Sequence, residues 1–348
     1  MTDCYVALGS NLGDRQRQLD EAVRLLSAVP QIQVQRVSRY YETRPAGGPA
    51  QQGAYLNAAA HLRSGLPPAE LLNRLQGIEH AMGRHGRVRW EARPIDLDLL
   101  LFDDLVMDEP GLKIPHPRMH FRRFVLEPLA EIAPEARHPI MGWTAAQLLQ
   151  HISRRPLYLA FAGLIGSGKT TLAEHVAGAT GSHFIRESPP AEMLARFYAD
   201  PSRHALALQL QLLGERAEAL NASRWPEGES GWRVSDCWFD QTWVFAQVLL
   251  LGPARDCFAE RWSRLRLQVG QPTLLVWLEV PPEQLLARIR RRGLPYEQAM
   301  EAEYLCRLHR EYTRYLDSQH PGPLLRLDGR DLEAAAAEVI AAMQAVAR

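Results

Sequence analysis

The segment 163–170 constrains the fold of this chain more than any other feature. It reads Gly-Leu-Ile-Gly-Ser-Gly-Lys-Thr and matches the pattern Gly-x-x-x-x-Gly-Lys-Ser/Thr at every fixed position. An apolar segment, 157–162, precedes it, and a helix is expected to begin at Gly168. Between a strand and a helix, such a loop turns its backbone N–H groups and the helix N-terminus toward phosphate oxygens. The segment therefore predicts a nucleotide-binding loop in a parallel sheet, against the alternative of a chance glycine turn.

Each member of this loop has an expected task. Gly163, Gly166 and Gly168 would let the backbone curl around phosphate. Lys169 would place a positive charge beside the β- and γ-phosphates, and Thr170 would supply a magnesium ligand. The loop thus predicts ATP as co-substrate and one magnesium ion, but it leaves the phosphate acceptor open.

Length and composition breaks predict two domains. A chain of 348 residues is too long for one ordinary core. The polar segment 153–156 separates two patterns, so the domains are expected at 1–153 and 157–348. In the second domain helices alternate with the expected strands, which are 157–162, 183–185, 233–235, 273–278 and 324–327. This order predicts a P-loop NTPase-type parallel sheet with helices on both faces.

The first half has a different order of elements. Its apolar and alternating segments predict strands at 4–8, 32–41, 55–62 and 95–102, with helices at about 19–26 and 67–82. The order β-α-β-β-α-β is the split βαβ pattern of a ferredoxin-like α+β domain. The whole chain is therefore predicted to be α/β, with a ferredoxin-like domain followed by the P-loop domain.

Composition excludes several classes of protein. Lys plus Arg and Asp plus Glu are both 40, and such a balance argues against a nucleic-acid partner. The four cysteines form no Cys-x-x-Cys pair, so neither a zinc site nor a disulfide framework is indicated. No apolar segment reaches the roughly 20 residues that span a bilayer, and the N-terminus has no basic leader. We expect a cytoplasmic protein with small-molecule partners and no membrane.

A second candidate site lies in the strand at 95–102. Asp96 and Asp98 are two residues apart, so their carboxylates would share one face of the strand and repel each other unless a cation lies between them. Magnesium suits such a pair and leaves positions for substrate phosphates. Arginines and a histidine surround the pair in sequence, chiefly Arg84, Arg93, His116 and Arg122. The pattern favours a site for metal-bound polyphosphate over a solvated strand edge.

The first half resembles 6-hydroxymethyl-7,8-dihydropterin pyrophosphokinase over about residues 5–150. The resemblance rests on the motifs at 7–13, 55–58, 93–98 and 114–119. It implies transfer of pyrophosphate from ATP to the pterin hydroxymethyl group in folate synthesis, with AMP as the second product. It also implies two magnesium ions at Asp96 and Asp98.

The same resemblance implies the other site residues of the first half. The ATP contacts would be Gln76, Glu79, Arg84, Arg93, His116 and Arg122, with Arg84 and Arg93 catalytic. The pterin pocket would be formed by Thr43, Tyr55, Asn57, Trp90 and Phe124. The family's usual Arg-Trp-Gly-Pro-Arg run carries Glu91 and Ala92 in place of Gly-Pro, so altered loop closure and rate are expected.

The second half resembles the bacterial deoxynucleoside kinases over about residues 157–327. The resemblance rests on the phosphate loop, Glu187, the segment 196–201, Gln209, and the segments 234–236 and 288–297. It implies that Glu187 is the general base for a sugar hydroxyl. Arg288 and Arg292 would be lid arginines, Tyr198 would line the sugar pocket, Gln209 would bind the base edge and Asp236 would assist magnesium or the catalytic carboxylate. A homodimer through this domain is also expected.

One departure leaves a choice of function open. Many family members have arginine directly after the acid matched by Asp236, whereas this chain has Cys237, which cannot hold Glu187 or a phosphate by charge. The second half is therefore predicted to be a nucleoside kinase or, alternatively, a nucleotide-binding module without catalysis. A P-loop ATPase acting on protein or nucleic acid is a third reading, which the balanced charge disfavours.

Overall fold

The structure is a computed structural model that describes residues 1–49, 51–84, 91–225, 231–319 and 321–347. The chain divides into two compact units. The first is Met1–Arg154 together with the last residues from Ile340 onward, and the second is Arg155–Val339. Among the described residues, no helix is both long and apolar enough to cross a lipid bilayer.

The first unit is built around an antiparallel sheet. Its strands are β1 (Thr2–Ser10), β2 (Ile32–Val37), β3 (Tyr41–Thr43), β4 (Tyr55–Ser64), β5 (Asp96–Phe102), β6 (Met107–Glu109) and β7 (Leu112–Ile114). Its helices are α1 (Arg15–Ser27), α2 (Pro68–Ala81), α3 (Arg123–Ile132) and α4 (Ala145–Ser153). The main sheet has the order β2-β4-β1-β5, β3 also pairs with β4, and β6 and β7 form a separate hairpin. This order confirms the predicted ferredoxin-like fold.

Alternating side chains bury both faces of this sheet. On one face Val6 and Leu97 pack in a core that includes Leu19 of α1 and Leu75 of α2. On the other face the sheet packs against α3 and α4, in a core formed by Ala59, Leu100, Leu101, Val125, Leu129 and Ala145. Because side chains of a strand alternate, consecutive residues such as Ala58, Ala59 and Ala60 can serve different cores.

One predicted strand of the first half is shorter than expected. The strand predicted at 32–41 ends at Val37, and the chain re-enters the sheet as β3. Ser38 causes the break, because its side-chain Oγ, rather than a backbone oxygen, accepts the hydrogen bond from the Ala59 backbone N–H at 3.0 Å.

The second unit is a parallel sheet with helices on both faces, as predicted. Its strands are β8 (Leu157–Gly163), β9 (His183–Ile185), β10 (Trp232–Ser235), β11 (Leu274–Glu279) and β12 (Leu324–Asp328). Its helices are α5 (Lys169–Thr180), α6 (Ala191–Ala199), α7 (Pro201–Ala219), α8 (Gln241–Leu249), α9 (Gly252–Arg266), α10 (Pro282–Arg292) and α11 (Ala302–Gln319). A last helix, α12, spans Leu332–Ala347.

The strand order places three functional segments side by side. The order is β12-β11-β8-β10-β9, with all neighbours parallel. The central strand β8 is buried along its whole length, as its apolar sequence requires. Ligands of open α/β sheets bind at the carboxyl ends of the strands. The loops after β8, β9 and β10 carry Lys169, Glu187 and Asp236, so these side chains meet at one edge of the sheet.

Candidate active sites

Strand β5 presents the two predicted carboxylates on one face. Leu97 and Leu99 are buried, whereas the side chains of Asp96 and Asp98 are 26% and 36% exposed. In the pairing with β1, Asp96 lies opposite Gly9 and Asp98 opposite Ala7. The small partners leave space above both carboxylates, so both can reach a ligand from the same side of the sheet.

Two arginines hold Asp96. The Arg84 Nη1 atom lies 2.5 Å from Asp96 Oδ1 and also donates to Glu79 Oε1. The Arg93 Nη1 atom donates to the same Asp96 oxygen at 3.0 Å. The loop that carries Arg93 is fixed by Asn11, whose Oδ1 accepts the Arg93 backbone N–H at 2.8 Å. These contacts bring four of the predicted residues into one charged cluster.

Glu79 is a buried member of this cluster. Its Oε1 accepts the Leu97 backbone N–H at 2.7 Å, which ties α2 to β5. Burial raises the pKa of Glu79 to about 7, although the Leu97 N–H and Arg84 oppose the rise. Near neutral pH this carboxyl group therefore exists in both protonation states, and it can either accept or donate a hydrogen bond.

Asp98 faces a histidine and a second arginine. His116 Nε2 and Arg122 Nη1 lie 3.8 and 3.7 Å from Asp98 Oδ2. Burial lowers the pKa of His116, and the positive charges of Arg122 and Arg118 lower it further. The imidazole is thus neutral near pH 7 and contacts ligands through hydrogen bonds rather than charge. The Arg122 guanidinium carbon also lies 5.6 Å from the centre of the Phe124 ring.

The predicted pterin residues gather mainly on β3 and β4. Asn57 Nδ2 donates to Thr43 Oγ1 at 2.8 Å, and both residues are buried. Tyr55 lies opposite Thr43 in the sheet and hydrogen-bonds Arg93, which links this polar pair to the Asp96 cluster. Phe124 is half-buried at the start of α3, and Gln76 lies exposed on α2, one turn before Glu79. Trp90 lies outside the described residues.

The oxygen-rich cluster fits magnesium by its chemistry. The described residues contain no group of three or more His, Cys, Asp or Glu side chains placed to hold a metal. Magnesium held by one or two carboxylates and by substrate phosphates needs no third protein ligand. Asp96 and Asp98 supply such carboxylates, and both are partly exposed.

The phosphate loop of the second half depends on close backbone packing. A Cβ atom on Gly163 would lie 2.7 Å from Ser167 Oγ and 2.9 Å from Leu278 O. Gly166 has a φ of 80°, and a Cβ atom there would lie 2.9 Å from Ile289 Cγ1 of α10. Both positions therefore exclude any larger residue while the loop keeps this shape.

Lys169 begins α5 and folds back over the loop. Its Nζ donates to Gly163 O at 2.7 Å and to Leu164 O at 3.0 Å. Burial lowers the pKa of Lys169 to about 8, while the nearby carboxylates of Glu187 and Asp236 oppose the fall. A polyphosphate beside Nζ would stabilise the charged amine in the same way that the two carboxylates do.

Asp236 joins the loop to Glu187. Its Oδ1 accepts the Glu187 backbone N–H at 2.7 Å, and it also hydrogen-bonds the side chain of Thr170. Burial raises the pKa of Asp236, and these two hydrogen bonds act against the rise. The Thr170 hydroxyl and the Asp236 carboxylate are hard oxygen donors in contact with each other, so the pair fits magnesium.

Glu187 itself is held by an arginine from α7. Both Nε and Nη2 of Arg216 lie 2.5 Å from Glu187 Oε1. The Arg216 side chain is 6% exposed and that of Glu187 is 19% exposed. This is a shielded ion pair, and both residues line one cavity.

A cavity of about 380 Å³ opens beside these groups. It is lined by all the predicted residues of the second half except Gly163, namely Gly166, Gly168, Lys169, Thr170, Glu187, Tyr198, Gln209, Asp236, Arg288 and Arg292. Arg288 donates to the backbone oxygens of Ser167 and Gly329, and Arg292 pairs with Glu297 at 2.5 Å. The Tyr198 ring stacks on that of Tyr296 at 5.9 Å, so α6 contacts the segment that follows α10.

Comparison with known proteins finds a different family for each half of the chain. The family model for 7,8-dihydro-6-hydroxymethylpterin-pyrophosphokinase matches residues 5–134, and the model for deoxynucleoside kinase matches residues 159–347. The 2-amino-4-hydroxy-6-hydroxymethyldihydropteridine pyrophosphokinase of Bacillus subtilis is 47% identical over 131 residues, which are 38% of this chain and 78% of that protein. The chain belongs to both families. The enzyme of the same name from Pseudomonas aeruginosa is 44% identical over 135 residues, 39% of this chain and 83% of that protein.

A solved structure of the deoxyadenosine kinase from M. mycoides is also similar to this chain. The sequence identity is 18% and the TM-score 0.46, over 53% of this chain and 96% of that one. Membership of the two families makes the first half a folate-pathway pyrophosphokinase and the second half a nucleoside kinase-like domain, and ATP is the co-substrate that both kinase families imply.

Two residues of the deoxynucleoside kinase half escaped the sequence analysis. Arg216 follows Gln209 by seven residues on α7, a spacing that puts both on one helix face, and this signal could have found it. Gln241 begins α8 and lines the same cavity. The Oε1 atoms of Gln209 and Gln241 are buried and, among the described residues, have no hydrogen-bond partner. Buried amides of this kind are suited to a polar ligand.

Proposed function

We propose that the chain is a bifunctional enzyme. The first half transfers pyrophosphate from ATP to the hydroxymethyl group of 6-hydroxymethyl-7,8-dihydropterin and releases AMP. The second half transfers the γ-phosphoryl group of ATP to the 5′-hydroxyl of a deoxynucleoside and releases ADP. The observation that supports this most strongly is the presence of two separate phosphate-handling clusters, one around Asp96 and one around Lys169.

In the first half, Arg84 and Arg93 bind the triphosphate. Their guanidinium groups already lie around Asp96, at the place where a charged polyphosphate would arrive. Two magnesium ions held by Asp96 and Asp98 would neutralise charge on the transferred pyrophosphoryl group. Gln76, Glu79, His116 and Arg122 complete the ATP site.

The pterin lies beside the Asn57–Thr43 pair. Their amide and hydroxyl groups offer hydrogen bonds to the polar edge of the ring, and the faces of Tyr55, Phe124 and Trp90 would stack on it. The hydrogen bond between Tyr55 and Arg93 connects the pterin side to the phosphate side. This arrangement would orient the hydroxymethyl oxygen toward ATP.

In the second half, Glu187 accepts the proton from the 5′-hydroxyl as that oxygen attacks phosphorus. Lys169 and the loop backbone bind the phosphates, and Arg288 and Arg292 stabilise charge on the transferred group. Thr170, with help from Asp236, would hold one magnesium ion, which would supply positive charge beside the phosphates. Tyr198 lines the sugar site, and Gln209, with Gln241, contacts the base.

We assign the first activity to residues 1–153 and the second to residues 157–348. The homodimer through the C-terminal domain stays a prediction, which sedimentation of the purified chain would test. A nucleotide-binding module without catalysis is the second candidate for the later half, because Cys237 carries no charge where arginine is usual.

A product assay tests both assignments. Purified chain with ATP and the reduced hydroxymethylpterin is expected to yield AMP, and with a panel of the four deoxynucleosides to yield ADP for at least one. Acceptor-dependent AMP that survives Asp96→Asn would contradict the first assignment. ATP binding with no acceptor-dependent ADP would favour the module without catalysis.

A further inference from the structure

Glu187 has a close partner that its sequence neighbours do not provide. Two nitrogen atoms of Arg216 contact one carboxylate oxygen of Glu187 at 2.5 Å, and the Arg216 side chain is almost fully buried. Arg216 comes from the last turns of α7, whereas Glu187 follows β9. The contact therefore joins two elements that are 29 residues apart along the chain.

A carboxylate at this position needs a cation. Its backbone N–H is bonded to a second carboxylate, Asp236, and the phosphate loop that binds an anionic nucleotide lines the same cavity. Negative charge on both sides repels the carboxylate. A guanidinium group in direct contact offsets that repulsion and fixes the direction of the carboxylate.

The other cations of the cavity have different partners. Lys169 donates to the loop oxygens of Gly163 and Leu164, Arg288 to backbone oxygens of Ser167 and Gly329, and Arg292 pairs with Glu297. Cys237 is buried at the end of β10, and burial raises the pKa of its thiol, so it brings no charge. Arg216 is thus the cation placed to serve Glu187.

We propose that Arg216 is the positioning residue of the deoxynucleoside kinase site, holding the carboxylate of Glu187 in a fixed orientation in a chain where Cys237 cannot do so. The proposal rests on the proposed function of Glu187 as general base. It predicts that the arginine affects the rate of phosphoryl transfer more than the binding of ATP, because the phosphate loop is formed by other residues.

The first test is kinetic, with substitutions in the full chain. Arg216→Gln is expected to lower kcat for the best deoxynucleoside about 100-fold, since a positioned general base contributes about 10²–10⁴ in rate. The KM for ATP should change less than about threefold, as expected when an interaction acts in the transition state. Arg216→Lys keeps the charge but loses the two-nitrogen contact, so its kcat should lie between those of the parent chain and Arg216→Gln. The matched control is Arg203→Gln, an exposed arginine of the same helix.

The kinetic outcomes decide the proposal. A kcat within twofold of the parent chain for Arg216→Gln would overturn it, and so would a Lys variant as slow as the Gln variant. A large rise in the KM for ATP with unchanged kcat would instead make Arg216 a nucleotide-binding residue and also overturn it.

The second test needs no kinase activity, so it separates failure of this proposal from failure of the proposed function. Unfolding is followed by tryptophan fluorescence for the parent, Glu187→Gln, Arg216→Gln and the double variant. Six of the eight tryptophans lie between residues 225 and 277, so the signal reports the second half. Removing one charge leaves the other buried and unpaired. The free energy of unfolding lost in the double variant should therefore be smaller than the sum of the losses in the two single variants. Strict additivity would show that the pair does not interact and would overturn the proposal.

Discussion

One of the two phosphate sites of this chain is formed by side chains and the other by backbone. In the pyrophosphokinase half, the polyphosphate cluster consists of side chains, with Arg84 and Arg93 gathered on Asp96. In the nucleoside kinase half, the phosphate site is a backbone loop whose glycines pack against α10 and β11. Removing one charged side chain can therefore abolish binding in the first site. In the second site a substitution is harmful where its new Cβ atom would collide with the packed loop. The two activities are thus sensitive to different kinds of substitution.

Lys169 is the exception within the backbone site, and its removal should give the largest effect. Lys169→Met is expected to lower deoxynucleoside-dependent ADP formation at least about 10³-fold, because the negative charge on the phosphates is no longer stabilised by the ammonium group of Lys169. The chain has one other lysine, Lys113, which is exposed on β7 and paired with Asp108. Lys113→Met is the control and should leave both rates unchanged. Retention of ADP formation in Lys169→Met would contradict the loop assignment.

Arg84 tests the side-chain site. Arg84→Gln removes the cation shared by Glu79 and Asp96, and we expect AMP formation to fall about 100-fold, as when one charge-stabilising donor is lost. Arg74→Gln, an exposed position on α2, is the matched substitution and should be silent. Initial rates of AMP release measure both. Equal rates of AMP release for the two variants would show that Arg84 does not act in the site.

A substitution at Gln209 tests whether side chains determine nucleoside binding next to the phosphate loop. Gln209→Leu should lower kcat/KM for the deoxynucleoside about 30-fold, because the base edge loses its hydrogen bonds and is left unpaired. Gln211→Leu, two residues later on the same helix, lies at the surface beside Glu215 and should change little. The KM for ATP is expected to stay constant in both. A parallel loss in the two variants would point to helix damage rather than base contact.

The smallest expected effect concerns the loop backbone itself. Gly166→Ala places a Cβ atom 2.9 Å from Ile289 Cγ1 at a positive φ, and the free energy of unfolding of this half should fall by about 1–2 kcal/mol. Gly178→Ala on α5 meets no atom within 4 Å and should raise stability by about 0.5–1 kcal/mol. Fluorescence-monitored unfolding distinguishes the two. An unchanged free energy of unfolding in Gly166→Ala would contradict the close packing of the loop against α10.

Local patterns explain what the sequence could predict. The segment 163–170 and the alternation around Asp96 depend on neighbours within a few residues, so motif and period were sufficient for the phosphate loop, the split βαβ order and most strands. The early end of β2 was not predictable, because it depends on a hydrogen bond from the Ala59 backbone N–H to Ser38 Oγ, across 21 residues of sequence.

The seven-residue spacing from Gln209 could have placed Arg216 on the ligand face of α7, but its contact with Glu187 could not be predicted, for a similar reason. From the sequence, Cys237 shows only that a charge is missing, which leaves open a nucleotide-binding module without catalysis. The position of α7 in the fold brings Arg216 into contact with Glu187, and no local sequence pattern predicts that contact. Gln241 likewise belongs to the cavity through the position of α8 rather than through a motif.

A crossed product assay tests the central claim, that this chain contains two independent phosphate-transfer sites. AMP and ADP are separated after incubation of the parent chain, Asp96→Asn and Lys169→Met with ATP, the reduced pterin and a deoxynucleoside. We predict that Asp96→Asn loses AMP and keeps ADP, and that Lys169→Met keeps AMP and loses ADP. Loss of both products from one substitution in a folded chain, or of neither product from both, would contradict the account.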